Sequence, residues 1–323
     1  MTIETFQVPN NKLPHIFMEK TDSRKLIEED EKVSNIIVSN LLLNKELNGL
    51  IYSIREITNN INKLITTKPE ELPFSLLRSL RLKSSELYRF RYAKVLGIKK
   101  TSEKNKINLP EISKKINLSV VNLIKNYSNR IQNDLKNYEK KFNITLDILS
   151  SETWRICGNC SRILFKDKLK PMNCECGKKI ENVEDTETLP ISRFNEKMLT
   201  FVDQNMWFEH GIEQILKFKK LDTRCGYHIL GHSGIKHETD VFSYSKKDNI
   251  TAISECKTSD VGLNEVFVVH GKMFDIGVHK GYMFSLKTVP DFIKTFAKRK
   301  GIQIIDIVLE KNPKTLLREI SVW

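Results

Sequence analysis

The sequence has no run approaching the ~18–20 consecutive apolar residues that a membrane-spanning helix needs. Its most apolar early stretch, Ile36 to Leu43, is interrupted by Ser39 and Asn40. The opening residues, Met1-Thr-Ile-Glu-Thr5, lack the basic-then-apolar pattern of a secretory leader. Cysteine is scarce: six in 323 residues do not make a disulfide scaffold. No helicase or P-loop pattern is present, so ATP-driven translocation would need a partner. No internal repeat is evident. These absences predict a soluble, cytoplasmic protein with no membrane partner.

What is present is enough apolar material for a core. Hydrophobic residues make up 40% of the chain, which excludes wholesale disorder, and the length allows two domains or a domain with attachments. The net charge of +13, with a pI near 9.3, favours a polyanionic partner such as nucleic acid. That charge is unevenly spread. Residues 1–50 carry a net of −2 and residues 151–323 a net of +4. Residues 51–150 hold 20 basic against 9 acidic side chains, a net of +11.

Residues 1 to about 20, with Pro9 and Pro14, read as irregular. From Ser23 to about Ile148 the period is helical, as in Leu43, Leu47, Leu50 and Ile54. Breaks fall at Pro69, at Pro73 and over the polar stretch Lys99 to Asn108, which ends at Pro110. A last long helix is predicted from Ser119 to about Tyr138. Beyond residue 194 the pattern predicts a helix over 196–221, strands over 226–230, 239–244 and 250–257, and a helix over 264–276. A strand over 281–286, a helix over 291–298 and a strand over 302–308 follow. That order predicts one mixed sheet covered by helices.

Four cysteines cluster. Cys157-Gly-Asn-Cys160 is followed by Cys174-Glu-Cys176-Gly177. Two close pairs on two turns can place four thiolates around one tetrahedral ion, and Zn2+ suits such soft ligands. Gly158 and Gly177 suit the tight turns. With no open position the site would be structural. The arrangement resembles a zinc ribbon, although the second pair has one residue between its cysteines where two are usual. Cys225 and Cys256 read as small buried apolar residues.

The sharpest chemical pattern is Glu255-Cys256-Lys257. On a strand, residues two apart share a face, so Glu255 and Lys257 project together. A hairpin pairing would bring Asp240 near Glu255, and two converging carboxylates suit Mg2+. Upstream stand a helix with Glu209 and Glu213, then Gly226-Tyr227, a Gly/Ser loop holding Ser233 and Gly234, and Asp240. This succession resembles the PD-(D/E)xK nuclease superfamily, and within it the Mrr-type restriction endonucleases and archaeal Holliday-junction resolvases. The resemblance covers about residues 205–290, with Thr239 where the family has proline. It implies hydrolysis of a phosphodiester bond. Asp240 and Glu255 would hold catalytic Mg2+ (or Mn2+), Lys257 would orient water or stabilise developing charge, and Glu213, rather than Glu209, would be the helical acid. His228, His232, His237, His270 and His279 also crowd this region, without a diagnostic metal spacing.

Arg78, Arg81, Lys83, Arg89, Arg91 and Lys94, interleaved with Tyr88, Phe90 and Tyr92, form a candidate nucleic-acid contact, basic groups for phosphates and aromatics for bases. The expected organisation is therefore α+β and multidomain. A helical region over 1–148 serves DNA binding or oligomerisation, a zinc ribbon spans 149–185, and a nuclease-like domain with a mixed sheet spans 186–323. The expected activity is a metal-dependent endonuclease acting on DNA rather than RNA, in restriction, defence or repair, and a homodimer would suit cleavage of two strands. The competing expectation is a non-catalytic nucleic-acid-binding scaffold with an inactive nuclease fold.

Overall fold

The computed structural model describes residues 3–6, 16–39, 42–68, 71–80, 109–166 and 171–320. Strands β1 (Ile3–Phe6) and β2 (Ile16–Glu19) come first. Helices α1 (Asp22–Glu28), α2 (Glu31–Val38), α3 (Lys45–Thr66), α4 (Phe74–Ser79) and α5 (Leu109–Phe142) follow. The cysteine-bearing region contains β3 (Ser150–Cys157), β4 (Ile163–Lys166), β5 (Met172–Asn173), β6 (Lys179–Ile180) and β7 (Thr186–Arg193). Then come α6 (Glu196–Asp203), α7 (Met206–Phe218), β8 (Asp222–Leu230), β9 (Lys236–Ser245) and β10 (Ile250–Lys257). The chain closes with α8 (Leu263–Ile276), β11 (Lys280–Ser285), α9 (Asp291–Arg299), β12 (Ile302–Ile305) and α10 (Pro313–Glu319). The class is the expected α+β: N-terminal helices, a small cysteine-rich sheet region and a larger mixed sheet with helices. Among the described residues, no helix is long and apolar enough to cross a membrane.

Two compact units result. One comprises Met1–Ile51, Leu146–Ile148 and Glu196–Trp323; the other comprises Tyr52–Thr145 and Leu149–Asn195. The first holds a seven-stranded sheet of order β1-β2-β8-β9-β10-β11-β12. β8, β9 and β10 are antiparallel neighbours joined by short turns, while β10-β11 and β11-β12 are parallel. Parallel neighbours need a crossover, supplied here by α8 and α9. Val266, Val269 and Met273 of α8 pack against Phe242, Ile253 and Met283 of the sheet. Ala252 and Ser254, on the alternate face of β10, are also fully buried. The central strand is therefore covered on both sides, which fixes its register, since a one-residue slip would exchange its two faces.

In the second unit, β3 pairs with both β4 and β7, and β5 with β6. Helix α5 lies along β7. The Ser128 hydroxyl accepts from the Ser192 backbone N–H at 2.7 Å, and Gln132 donates to the Ser192 hydroxyl at 2.6 Å.

Three expectations change. Residues expected to be irregular supply β1 and β2, which extend the sheet through pairing of β2 with β8. The helix expected to run unbroken over 196–221 is two helices, divided where Asn205 takes a left-handed backbone (φ 59°), a conformation asparagine tolerates better than most residues. The long helix begins at Leu109 and not at Ser119. Pro110 sits in its first turn, where backbone N–H groups have no helical partner to lose.

Candidate functional site

The antiparallel register of β9 and β10 runs as far as Val241 opposite Ser254, and Asp240 and Glu255 are the next residue on each strand. Residues directly opposite one another share a face. Asp240 Oδ2 accepts a hydrogen bond from the Cys256 backbone N–H at 2.6 Å. Glu255, only 4% exposed, accepts from Lys257 Nζ at 3.2 Å through Oε2 and from Lys272 Nζ at 2.7 Å through Oε1. Lys272, on α8, also donates to the Glu238 carbonyl at 2.6 Å. Asp240, midway along β9, thus meets Glu255 and Lys257 at the end of β10, with Lys272 as a fourth member.

The two helical acids part company. Glu209 pairs with Arg24 of α1, lies 4.0 Å from the Cys225 sulfur, and is close enough to act electrostatically on Asp240. Glu213, one turn further along α7, instead meets His210 at 3.4 Å and Lys217 at 3.0 Å, and accepts from the Thr223 hydroxyl. Arg24 reaches Glu209 by crossing Gly226, whose backbone is left-handed (φ 68°); a Cβ there would run into the guanidinium. Gly226→Ala is therefore expected to destabilise the chain by about 2–4 kcal/mol, combining left-handed strain with loss of a buried pair. The urea unfolding midpoint checks this, and an unchanged midpoint contradicts it. Cys225 is buried as expected, but its neighbours are polar: Arg24 donates toward its sulfur at 3.9 Å.

The electrostatics of the site are set chiefly by burial. Burial pushes the Asp240 carboxyl well above the usual carboxylate range, and the negative charges of Glu255 and Glu209 push it further, against the Cys256 N–H and Lys257. Burial also raises Glu209, only partly opposed by Arg24. Burial works against the Lys257 charge, but Glu255 and Asp240 outweigh it and raise the ammonium above its ordinary value. Those carboxylates favour the charged form of Lys257, which suits it to orient and stabilise. Carboxylate oxygens are the donors a hard divalent cation takes, but among the described residues Asp240, Glu255 and Glu209 do not bring one ligand atom each within 4.8 Å of the others.

The Gly/Ser loop is fastened. Asp275, at the end of α8, accepts from the Ser233 N–H at 2.8 Å and the Ser233 hydroxyl at 2.6 Å, and lies 2.5 Å from His237 Nε2. Those Ser233 and His237 contacts lower its carboxyl from the ordinary 3.8 to about 2. A depressed acid contributes stability above its unfolded pKa and loses it as pH falls through the folded one. Amide exchange at Ser233 is thus expected to quicken between about pH 4 and pH 2, and Asp275→Asn to quicken it at neutral pH. Exchange independent of both would contradict the anchoring role. Of the other histidines, His279 Nδ1 sits 3.0 Å from the Thr251 hydroxyl.

In the other unit the four cysteines converge. One ligand atom from each of Cys157, Cys160, Cys174 and Cys176 lies within 4.8 Å of the rest. Cys157 and Cys176 sulfurs are 3.7 Å apart, and those of Cys160 and Cys174 3.6 Å. A tetrahedral ion with bonds of ~2.3 Å to sulfur sets them about 3.8 Å apart, so the cluster fits structural Zn2+. The one-residue spacing of the second pair is accommodated by the β5–β6 turn. There the Cys174 N–H donates to the Lys178 carbonyl, and Gly177 (φ 87°) donates to the Cys174 carbonyl. Asn117 of α5 donates to the Cys160 carbonyl at 3.1 Å, fixing the first turn. Although burial opposes it, hydrogen bonds from the Lys178 backbone and Asn159 bring the Cys176 thiol down to about 7.

Of the candidate nucleic-acid contacts, Arg78 is exposed on α4. Arg81, Lys83, Arg89, Arg91 and Lys94, with their aromatics, lie outside the described residues. Sequence reasoning missed Arg24 and His210. For Arg24 no local signal exists, because its partner Glu209 is 185 residues away. For His210 the three-residue spacing to Glu213 on one helix was a usable one.

No protein-family profile matches the chain, and no curated protein matches it. Sixteen chains of solved structure do. A protein of unknown function, AF1548, matches 33% of this chain at 20% identity with a TM-score of 0.30. Can2 from Sulfobacillus thermosulfidooxidans, solved with cyclic tetra-adenylate, matches 40% at 16% identity and a TM-score of 0.33. Protein VC1899 from Vibrio cholerae matches 94% at 13% identity and a TM-score of 0.40. The matches cover 66%, 39% and 58% of those chains respectively, so this chain spans less than two thirds of each.

Proposed function

We propose that the chain is a metal-dependent nuclease that hydrolyses phosphodiester bonds, most readily as a DNA endonuclease of restriction, defence or repair type. The observation that carries this is the meeting of half-buried Asp240 and buried Glu255 on the adjacent strands β9 and β10, with the Lys257 ammonium beside them. Asp240, Glu255 and the Cys256 carbonyl would hold Mg2+ or Mn2+, and Glu209 is better disposed than Glu213 to complete the set. The ion, when bound, supplies charge neutralisation at the phosphate and an acidified water. Lys257 contributes a fixed ammonium at the place where negative charge develops during attack on phosphorus. Lys272, by holding Glu255 Oε1, sets the orientation of that carboxylate. The basic segment from Arg78 to Lys94 and the cysteine unit select the substrate, and a homodimer would suit cleavage of two strands.

A second reading has one observation in its favour. Glu255 is already held by two lysines and Glu209 by Arg24, so the carboxylates carry internal counter-charges. On that reading the fold is a passive scaffold for nucleic-acid binding. Incubating labelled single-stranded DNA, duplex, branched DNA and RNA with Mg2+ or Mn2+ separates the two. Metal-dependent cutting supports the nuclease, and its preferred substrate assigns the role. Binding without cutting supports the scaffold.

A further inference from the structure

We propose that His210, Glu213 and Cys225 form a second metal site, distinct from the four-cysteine cluster and from the Asp240–Glu255 pair, that takes Zn2+ or a similar borderline transition ion. His210 and Glu213 are three apart on α7 and share a face; Cys225 comes from β8. One ligand atom from each lies within 4.8 Å of the others, and all three residues are buried. Both ring nitrogens of His210 are fully enclosed, and neither has a well-aligned hydrogen bond. Glu28 Oε1 and Glu213 Oε2 flank them at 3.3 and 3.4 Å, the spacing of an ion pair. Those loose contacts leave room for an ion to take the place of one of them on a ring nitrogen.

The donor chemistry narrows the ion. Imidazole nitrogen, thiolate sulfur and carboxylate oxygen together suit Zn2+, whereas Mg2+ takes oxygen and would not select Cys225. Three protein ligands leave a fourth position. A cavity of about 280 Å³ adjoins the trio, lined also by Lys20, Glu28 and Arg224, and gives that position to water. Binding would release the Cys225 thiol proton and any proton on His210. Lys20, Arg24 and Lys217 contact Glu28, Cys225 and Glu213 respectively and offset part of the negative charge around the trio.

The test is zinc content by mass spectrometry on the full chain carrying Asp240→Asn, which removes one carboxylate ligand from the neighbouring site. Two zinc ions per chain are expected, falling to one when Cys225→Ala or His210→Ala is added. One zinc per chain, unchanged by either substitution, would overturn the site and leave His210 as a charged bridge between Glu28 and Glu213. Should those variants fail to fold, the Asp240→Asn chain produced with Co2+ decides. Two cobalt ions with charge transfer from five thiolates support the site, and one cobalt with four thiolates overturns it. Neither readout depends on nuclease activity.

Discussion

Asp240→Asn is expected to lower metal-dependent phosphodiester cleavage by about 10²–10³-fold or more, the scale of removing one group that stabilises transition-state charge. The substitution isolates chemistry from folding. Asparagine has nearly the same shape, and its carbonyl oxygen can still accept from the Cys256 N–H that Asp240 now engages at 2.6 Å. It also removes a carboxyl crowded by Glu255 and Glu209. The variant is therefore expected to unfold at a denaturant concentration equal to or above that of the unmodified chain. Lys257→Ala should lose activity on the same scale, because no neighbour replaces its charge at that place. Lys272 is already spoken for by Glu255 and the Glu238 carbonyl. Glu209→Gln should cost more activity than Glu213→Gln, since only the former acts on Asp240. Cleavage assays with metal present and withheld, alongside urea unfolding, check all four. Activity surviving Asp240→Asn would remove Asp240 from the catalytic site.

Removal of zinc from the four-cysteine cluster is expected to unfold its surroundings. The apolar cluster there is small: Cys157, Cys160, Cys174 and Ile180 are its buried members, with Leu164 packed against them. Strands β5 and β6 are two residues each. So little burial does not offset the entropy of ordering those turns, whereas structural zinc contributes about 10–16 kcal/mol in comparable small sites. A strong chelator, or Cys174→Ala, should therefore expose residues 157–185 to hydrogen exchange while β8 to β12 stay protected. That contrast arises because the seven-stranded sheet keeps its own core in the other unit. Exchange that is unchanged by the chelator would mean that the cluster holds its shape without metal.

What the sequence by itself determined is what short-range geometry controls. The spacing of Cys157, Cys160, Cys174 and Cys176 announced the cluster because ligands a turn apart must converge. The run Ile250 to Lys257 announced a strand whose limits the structure matches, because period-two alternation puts Glu255 and Lys257 on one side whatever lies beyond. Gly277, left-handed at φ 78°, ends α8 one residue past the limit that apolar spacing sets. The tertiary structure decided the rest. It alone made strands of Ile3–Phe6 and Ile16–Glu19, whose place in the sheet comes from pairing of β2 with a strand some 200 residues on. It alone gave Glu209 to Asp240 and Glu213 to His210. Both acids lie on α7 one turn apart, and the sequence holds no sign of the Arg24 that claims the first. Lys272 reached Glu255 for the same reason, through α8 folding back over the sheet. Local periodicity carries the conformation of a segment, but which charges meet in a buried site depends on chain paths that close only when the core forms, and that information is spread over residues far apart in sequence.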